Sequence, residues 1–262
     1  MPASGFQLID SDIALLNHAF QLRVSTLELL AQLAGRSYKN THKRVQKLAE
    51  RKYLATLTQR PEKHLYALGP EGVLILIDRG YAPKDLADKR LRNYELKPLG
   101  MKHFLHVASI HTRLILLTRP GPIELAHWQE GPTLWDHASV DGAELPVRPD
   151  AWFTLKHTAR PEGKNKVHYF LEADRSTMAH SRMEQKIKAY RAYHEQQRYA
   201  LKYPCMETFW VATITETRGR AKELQQDLHE LLPTAKARRA YLFVPIEDLT
   251  LEALLPAPAA MP

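Results

Sequence analysis

Arg148-Pro149-Asp150-Ala151-Trp152-Phe153-Thr154-Leu155, followed by Val167-His168-Tyr169-Phe170-Leu171-Glu172-Ala173-Asp174-Arg175, is the stretch that decides how the rest of this chain is read. Two apolar runs of strand length flank the polar break Pro161-Glu162-Gly163-Lys164-Asn165, the pattern of a strand pair. Residues two apart in a strand share a face, so Glu172 and Asp174 point the same way, and pairing as a hairpin brings Asp150 close to both. Three converging carboxylates are costly unless something positive sits between them, and a hard divalent cation suits oxygen ligands. The plainer alternative makes Asp150 a turn residue after proline and sets Glu172 and Asp174 in a surface ion-pair network with Arg148 and Arg175. The helical run that follows carries Lys186 and Tyr190, four apart and therefore neighbours on one face. They read either as parts of that site or as an exposed lysine and a half-buried tyrosine.

Outward from this stretch, the chain alternates. His103 to Leu117 has helical spacing, and His103 could border the site from there. Ile123 to Trp128 alternates as a strand. After the two strands come a long helix at about Thr177 to Tyr203, a strand at Thr208 to Ile214, a helix at about Arg220 to Leu232 and a strand at Tyr241 to Val244. Helix, three strands, helix, strand is an α/β sandwich order, with one further helix and strand appended. The proline- and alanine-rich segment 256–262 is expected to be a mobile tail.

The first quarter of the chain has a different rhythm. Ser11-Asp12 offers an N-cap to a helix through Phe20, and Ser25-Thr26 caps a second that ends at Gly35. A third, from about Ser37 or Asn40-Thr41, sets Val45, Leu48 and Ala49 on one side and Lys39, Lys43, Arg44, Lys47 and Arg51 on the other. Tyr53 to Thr58 and His64 to Leu68 read as short strands around a polar tip, Gln59 to Lys63. Between Arg36 and Lys63, nine Lys and Arg stand against two acids, Glu50 and Glu62. That excess is either a solvated helix face or an anion-binding one.

Helix, helix, turn, basic helix and a two-stranded wing resemble the winged helix-turn-helix modules of DNA-binding proteins, over residues 8 to 80. The resemblance makes the basic helix the recognition helix in the major groove of double-stranded DNA. Ser37, Tyr38, Asn40, Thr41 and Arg44 are then candidates for base edges. Lys39 lies on the same basic side, and Lys43, Lys47, Arg60 and Lys63 are candidates for phosphates. An apolar helix follows at Val73 to Ile77. The polar, proline-flanked segment after it places a domain boundary near Leu96 to Gly100, giving domains 1–96 and 97–255.

The C-terminal order resembles the core of the PD-(D/E)xK nuclease-like superfamily, with Asp150 and Glu172 where its metal-binding acids fall. More narrowly, the chain is similar to the plasmid replication–relaxation family of bacterial mobile elements. The carrying residues are His103-x-Leu105-x-Val107, Arg148-Pro149-Asp150-Ala151, Phe170-Leu171-Glu172-x-Asp174-Arg175-x-Thr177 and Lys186-x-x-x-Tyr190. That family joins a winged helix to a nuclease-like domain, so the resemblance spans nearly the whole chain. It implies Mg²⁺ or Mn²⁺ held by Asp150 and Glu172; the converging carboxylates add Asp174 as a candidate metal ligand, and these three acids and Lys186 are the catalytic candidates. The chain departs from the superfamily at Asp174, where active members carry lysine to stabilise the pentavalent phosphate. Three outcomes stay open: Lys186 supplies the ammonium from the next helix, Asp174 adds a third ligand, or the fold is retained without activity. The resemblance therefore leaves open whether the chain is a divalent-metal-dependent DNA endonuclease.

The totals agree with an anionic partner. The 262 residues carry a formal charge of +8, with 44% hydrophobic and 25% charged residues, and the sequence pI is near 9.5. Cys205 is the one cysteine, which excludes an internal disulfide and a thiolate metal cluster and fits a reducing cytoplasm. No basic-then-apolar leader opens the chain and no apolar run reaches membrane length. No glycine-rich phosphate loop is present, which argues against a nucleotide cofactor. A homodimer would suit a winged-helix reader of inverted repeats.

Overall fold

Leu15, Leu16, Ala19 and Phe20 recur at helical spacing, and all four are buried along α1 (Asp10–Leu22). The computed structural model describes residues 6–57, 64–85, 98–119, 121–176 and 179–255. It is a mixed α+β protein that divides into two units, Met1–Thr112 and Arg113–Pro262.

In the first unit α1 is followed by β1 (Ser25–Thr26), α2 (Leu27–Ala34), α3 (Tyr38–Glu50), β2 (Leu54–Leu57), β3 (Leu65–Leu68) and α4 (Pro70–Asp78), and α5 (Pro98–Thr118) begins in it and ends past Thr112. The strands form an antiparallel sheet in the order β1-β3-β2. Local chemistry sets the boundaries. Thr26 Oγ1 accepts the Leu29 N–H at the start of α2, and Gly35 ends that helix in the left-handed region at φ 62°. Ser37 Oγ caps α3 by accepting the Asn40 N–H. The expected cap of the first helix is corrected: α1 begins at Asp10, and Asp12 Oδ2 accepts the Ile9 N–H from inside the first turn, at 2.8 Å. Glycine is obligatory where α4 starts, because a Cβ on Gly69 would lie 2.2 Å from the Lys52 carbonyl oxygen. The tip residues Arg60 and Lys63, the segment 86–97 around the expected domain boundary, Thr177 and the tail 256–262 lie outside the described residues.

The second unit is built on a five-stranded sheet, β10-β9-β8-β7-β4. The strands β4 (Ile123–Glu130), β7 (Ala151–His157) and β8 (Lys166–Asp174) are antiparallel, whereas β9 (Trp210–Thr215) and β10 (Tyr241–Pro245) run parallel to β8. Between β8 and β9 come α6 (His180–Glu195) and α7 (Arg198–Lys202), and α8 (Arg218–Leu231) and α9 (Ala235–Arg238) precede β10. A final turn, α10 (Leu251–Leu254), places the Leu254 carbonyl where Tyr169 Oη donates to it at 2.8 Å.

Two features depart from expectation. A hairpin, β5 (Asp136–Val140) and β6 (Ala143–Val147), is inserted between β4 and β7. Its two-residue turn has Asp141 at φ 50° and Gly142 at φ 81°, the left-handed pair that a twisted hairpin favours. The long helix expected to Tyr203 is interrupted at Gln197, φ 52°, and the break lets Gln196 Nε2 donate to the Ser139 carbonyl at 2.7 Å. The helix gives up continuity to hold the inserted hairpin.

The hairpin and α6 cover one face of the sheet. Leu134, Ala138 and Val147 pack with Trp152, Phe170, Tyr190, Tyr193, Phe209 and Val211 in one buried cluster. Phe170, Glu172 and Asp174 share one side of β8 by strand parity, so two acids are carried into the buried interior.

Candidate functional site

Glu172 is 2% exposed on the central strand, and an unpaired carboxylate there would cost several kcal/mol. Lys186 of α6 answers it with a direct Nζ–Oε2 contact. One turn later, Tyr190 Oη donates to Glu172 Oε1 at 2.6 Å. Asp150 lies where β7 begins: its N–H donates to the Leu171 carbonyl at 2.9 Å, and its Oδ2 accepts the Ala173 N–H at 2.8 Å. These bonds clamp Asp150 beside the strand position that carries Glu172. Burial raises the Glu172 pKa, and the Asp150 charge adds to the rise against the pull of Lys186. Burial opposes the charge on Lys186, yet Glu172 and Asp150 together outweigh it and raise the lysine pKa. Burial, then Glu172, pushes the Tyr190 hydroxyl far up, so it stays a donor. Two acids, an ammonium and a phenol thus form one interacting group.

Asp174 is drawn elsewhere. It is 2% exposed, and Arg220, in the first turn of α8, donates from Nε to its Oδ2 at 2.8 Å. The other oxygen, Oδ1, has no hydrogen-bond partner among the described residues. The three acids expected to share one cation are therefore met by two different cations, from α6 and from α8. Nor are they paired with Arg148 and Arg175: Arg175 bonds Glu216 at 3.5 Å. His103, the expected border residue, falls in the first unit, with its ring edge-on to Phe104. Arg220 was missed in the sequence. A buried acid closing a strand demands a counter-cation, and the first turn of the helix after the neighbouring parallel strand is where one can stand.

In the first unit, α3 sorts its residues by face. Thr41, Val45 and Leu48 are buried, and Thr41 Oγ1 donates to the Ser37 carbonyl at 3.0 Å. Ser37, Tyr38, Lys39, Asn40, Lys43 and Lys47 are exposed. Lys39, Lys43 and Lys47, four apart, make one cationic stripe, and the Tyr38 ring stacks on His42 at 6.2 Å. Arg44 belongs to neither set. Its guanidinium forks onto both oxygens of Asp12, which is 0% exposed, and Nη2 also donates to the Gln7 carbonyl at 3.0 Å. The bond to Asp12 raises the Arg44 pKa. Arg44 and Thr41, both expected at base edges, are instead turned into the unit's own packing.

The family model described as replication-relaxation matches residues 16–205, more than half of the chain. The chain belongs to the replication-relaxation family. No curated protein and no solved structure matches it. The span shared with the replication-relaxation family takes in α3, Asp150, Glu172, Lys186 and Tyr190 and stops before Arg220. Membership associates the chain with replication or relaxation of a plasmid or mobile element, and so with DNA. No described helix is long and apolar enough to cross a membrane.

A divalent cation is what the nuclease-like resemblance implies. Among the described residues, no three of His, Cys, Asp and Glu gather into a metal-holding group. A three-carboxylate site does not fit, because Arg220 neutralises Asp174. Asp150 and Glu172 do fit as a pair of hard oxygen donors, with Lys186 as the cation now standing between protein and solvent.

Proposed function

We propose that this chain is a DNA-binding protein of plasmid or mobile-element replication or relaxation. In this reading the first unit is a winged helix-turn-helix that docks on duplex DNA through α3. The second unit is a PD-(D/E)xK nuclease-like sandwich, with the β5–β6 hairpin inserted in its meander. The observation that carries DNA binding is the Lys39–Lys43–Lys47 stripe, exposed on a helix whose opposite face is fully buried. Such a stripe can neutralise a row of phosphates, while Ser37, Tyr38 and Asn40 at the helix start are presented toward base edges. Fluorescence anisotropy with labelled duplex tests it. The full chain should bind with an affinity that falls as salt rises, and replacing the three lysines by alanine should abolish most of that binding. Duplex affinity unchanged in the triple variant sinks the assignment.

The Asp150–Glu172–Lys186 group favours a second reading, cation-dependent phosphodiester cleavage. Asp150 and Glu172 would hold Mg²⁺ or Mn²⁺, which when bound supplies water activation and charge neutralisation. Lys186 stands beside them to donate to a phosphate oxygen, the task of the lysine that Asp174 replaces. Supercoiled plasmid with Mn²⁺ should be nicked by the wild type and left intact by Asp150→Asn and Glu172→Gln. Independently of turnover, Mn²⁺ should raise the melting midpoint of the wild type and not of Asp150→Asn. Intact plasmid together with no Mn²⁺-dependent shift removes this reading and leaves DNA binding standing.

A further inference from the structure

Trp135 is 49% exposed, while Trp152 and Trp210 are buried. Indoles are seldom left in water, and this one is held there by its neighbours. Leu134, immediately before it, is locked in the aromatic core at 1% exposure. The Trp135 N–H donates to the Pro132 carbonyl at 3.0 Å, and the Trp135 carbonyl accepts from Lys202 Nζ at 2.6 Å. The backbone is fixed on both sides and the ring points out.

Arg148 lies over this ring, its Cζ 5.0 Å from the centroid, and makes no salt bridge among the described residues. Around the pair is an open cleft of about 370 Å³ lined by Trp135, Asp136, His137, Glu144, Pro146 and Arg148. Its acids are already engaged. Asp136 accepts from Tyr193 Oη at 2.9 Å and lies 3.9 Å from Arg198, and Glu144 faces His137 Nε2 at 3.1 Å. Arg148 and Lys202 are thus left as surplus positive charge beside an exposed aromatic face.

We propose that Trp135 and Arg148 form a stacking platform for a single DNA strand entering beside Asp150. The proposal rests on the DNA-binding reading above and adds a second contact to it. An exposed indole flanked by a guanidinium and an ammonium stacks any unpaired base and holds the adjoining phosphate, a sequence-tolerant combination. Bases inside a duplex are already stacked, so the platform discriminates for single strands. Arg148 precedes Asp150 by two residues, so their backbones lie within about 7 Å. A base held on Trp135 therefore brings its strand to the acid pair.

The test measures binding of a labelled single-stranded oligonucleotide, and of the matching duplex, to full-length wild type, Trp135→Ala, Trp135→Phe and Arg148→Gln. Trp135→Ala should weaken single-strand binding about tenfold. Trp135→Phe should recover most of that loss, Arg148→Gln should weaken binding and flatten its salt dependence, and duplex affinity should stay unchanged throughout. Equal single-strand affinity in wild type and Trp135→Ala overturns the platform, the outcome a protein-docking role for this patch would give. Equal losses on single strand and duplex also overturn it. Absence of all DNA binding by the wild type instead overturns the reading on which the platform rests.

Discussion

The stripe on α3 and the acid group under α6 use charge in opposite ways. On α3, Lys39, Lys43 and Lys47 are exposed, with their water shells intact until a partner displaces them. Under α6, Glu172 and Asp174 are both 2% exposed and each is met by a cation from a different helix. Exposed like charges contribute little to stability and are available to a ligand, whereas buried pairs hold the fold against the cost of desolvation. The contrast recurs within α3 itself, where the neighbours Lys43 and Arg44 fall on opposite sides of that division.

The sharpest way to break this comparison is Arg44→Ala. Removing the guanidinium leaves the fully buried Asp12 without its partner, and should cost about 3 kcal/mol in chemical denaturation of the full chain. At low denaturant, DNA affinity should change less than in Lys43→Ala. A variant as stable as wild type but defective on DNA would return Arg44 to the recognition surface.

Lys186→Met should cost less, about 2 kcal/mol, because Glu172 can escape its burial by taking up a proton. The sign follows from the raised Glu172 pKa. A carboxyl raised above its unfolded value contributes stability that is full below that value and lost as pH rises through the folded one. The penalty of Lys186→Met should therefore be small in acid and grow toward neutrality, and a pH-independent penalty would deny that the pair is coupled. Retained Asp150 charge makes the effect larger.

His168 tests the quiet end of the same strand. It is 8% exposed, with Nδ1 2.9 Å from Thr154 Oγ1, and burial lowers its pKa to about 4, with the charges of Lys166 and His127 adding to the fall. A depressed value means stability present above the ordinary histidine range and lost as pH falls toward 4. About 2 kcal/mol should be lost between roughly pH 7 and 5. In His168→Gln most of that slope should disappear from thermal melts, and an unchanged slope would assign acid sensitivity elsewhere.

Legibility follows the range of the interaction. The apolar runs of β7 and β8 and the apolar faces of α1 to α3 are local, so most of the element order could be read directly. The Asp141-Gly142 turn was missed although its signal is local: an Asp-Gly pair is the residue choice for a tight hairpin whose two turn residues take positive φ. Arg44 could have been placed too, since it lies three residues after Thr41 and four before Leu48, at the edge of the buried face. Its partner Asp12 is 32 residues away, and no local pattern distinguishes a capping acid from a buried one. Arg220 lies 46 residues from Asp174, and their pairing depends on how α8 lies against the sheet. Parity along β8 correctly sets Glu172 and Asp174 on one side, but a shared face fixes direction and not partner.

Lys43→Ala and Lys47→Ala give the smallest effect and the cleanest separation. Both residues are exposed and neither makes a salt bridge among the described residues, so melting midpoints should not move. Each phosphate left without its lysine should lower the slope of log affinity against log salt by about 0.9 and weaken binding by about tenfold or less at moderate salt. The loss should be the same across duplex sequences, because a lysine on a phosphate carries no base information. Asn40→Ala, on the same face, should leave the salt slope alone and reduce discrimination between sequences. If the lysine variants changed sequence preference and Asn40→Ala changed only the slope, α3 would lie on DNA in the opposite sense. The exposed stripe would then be a reading edge, and the anchoring charge would have to come from another part of the chain.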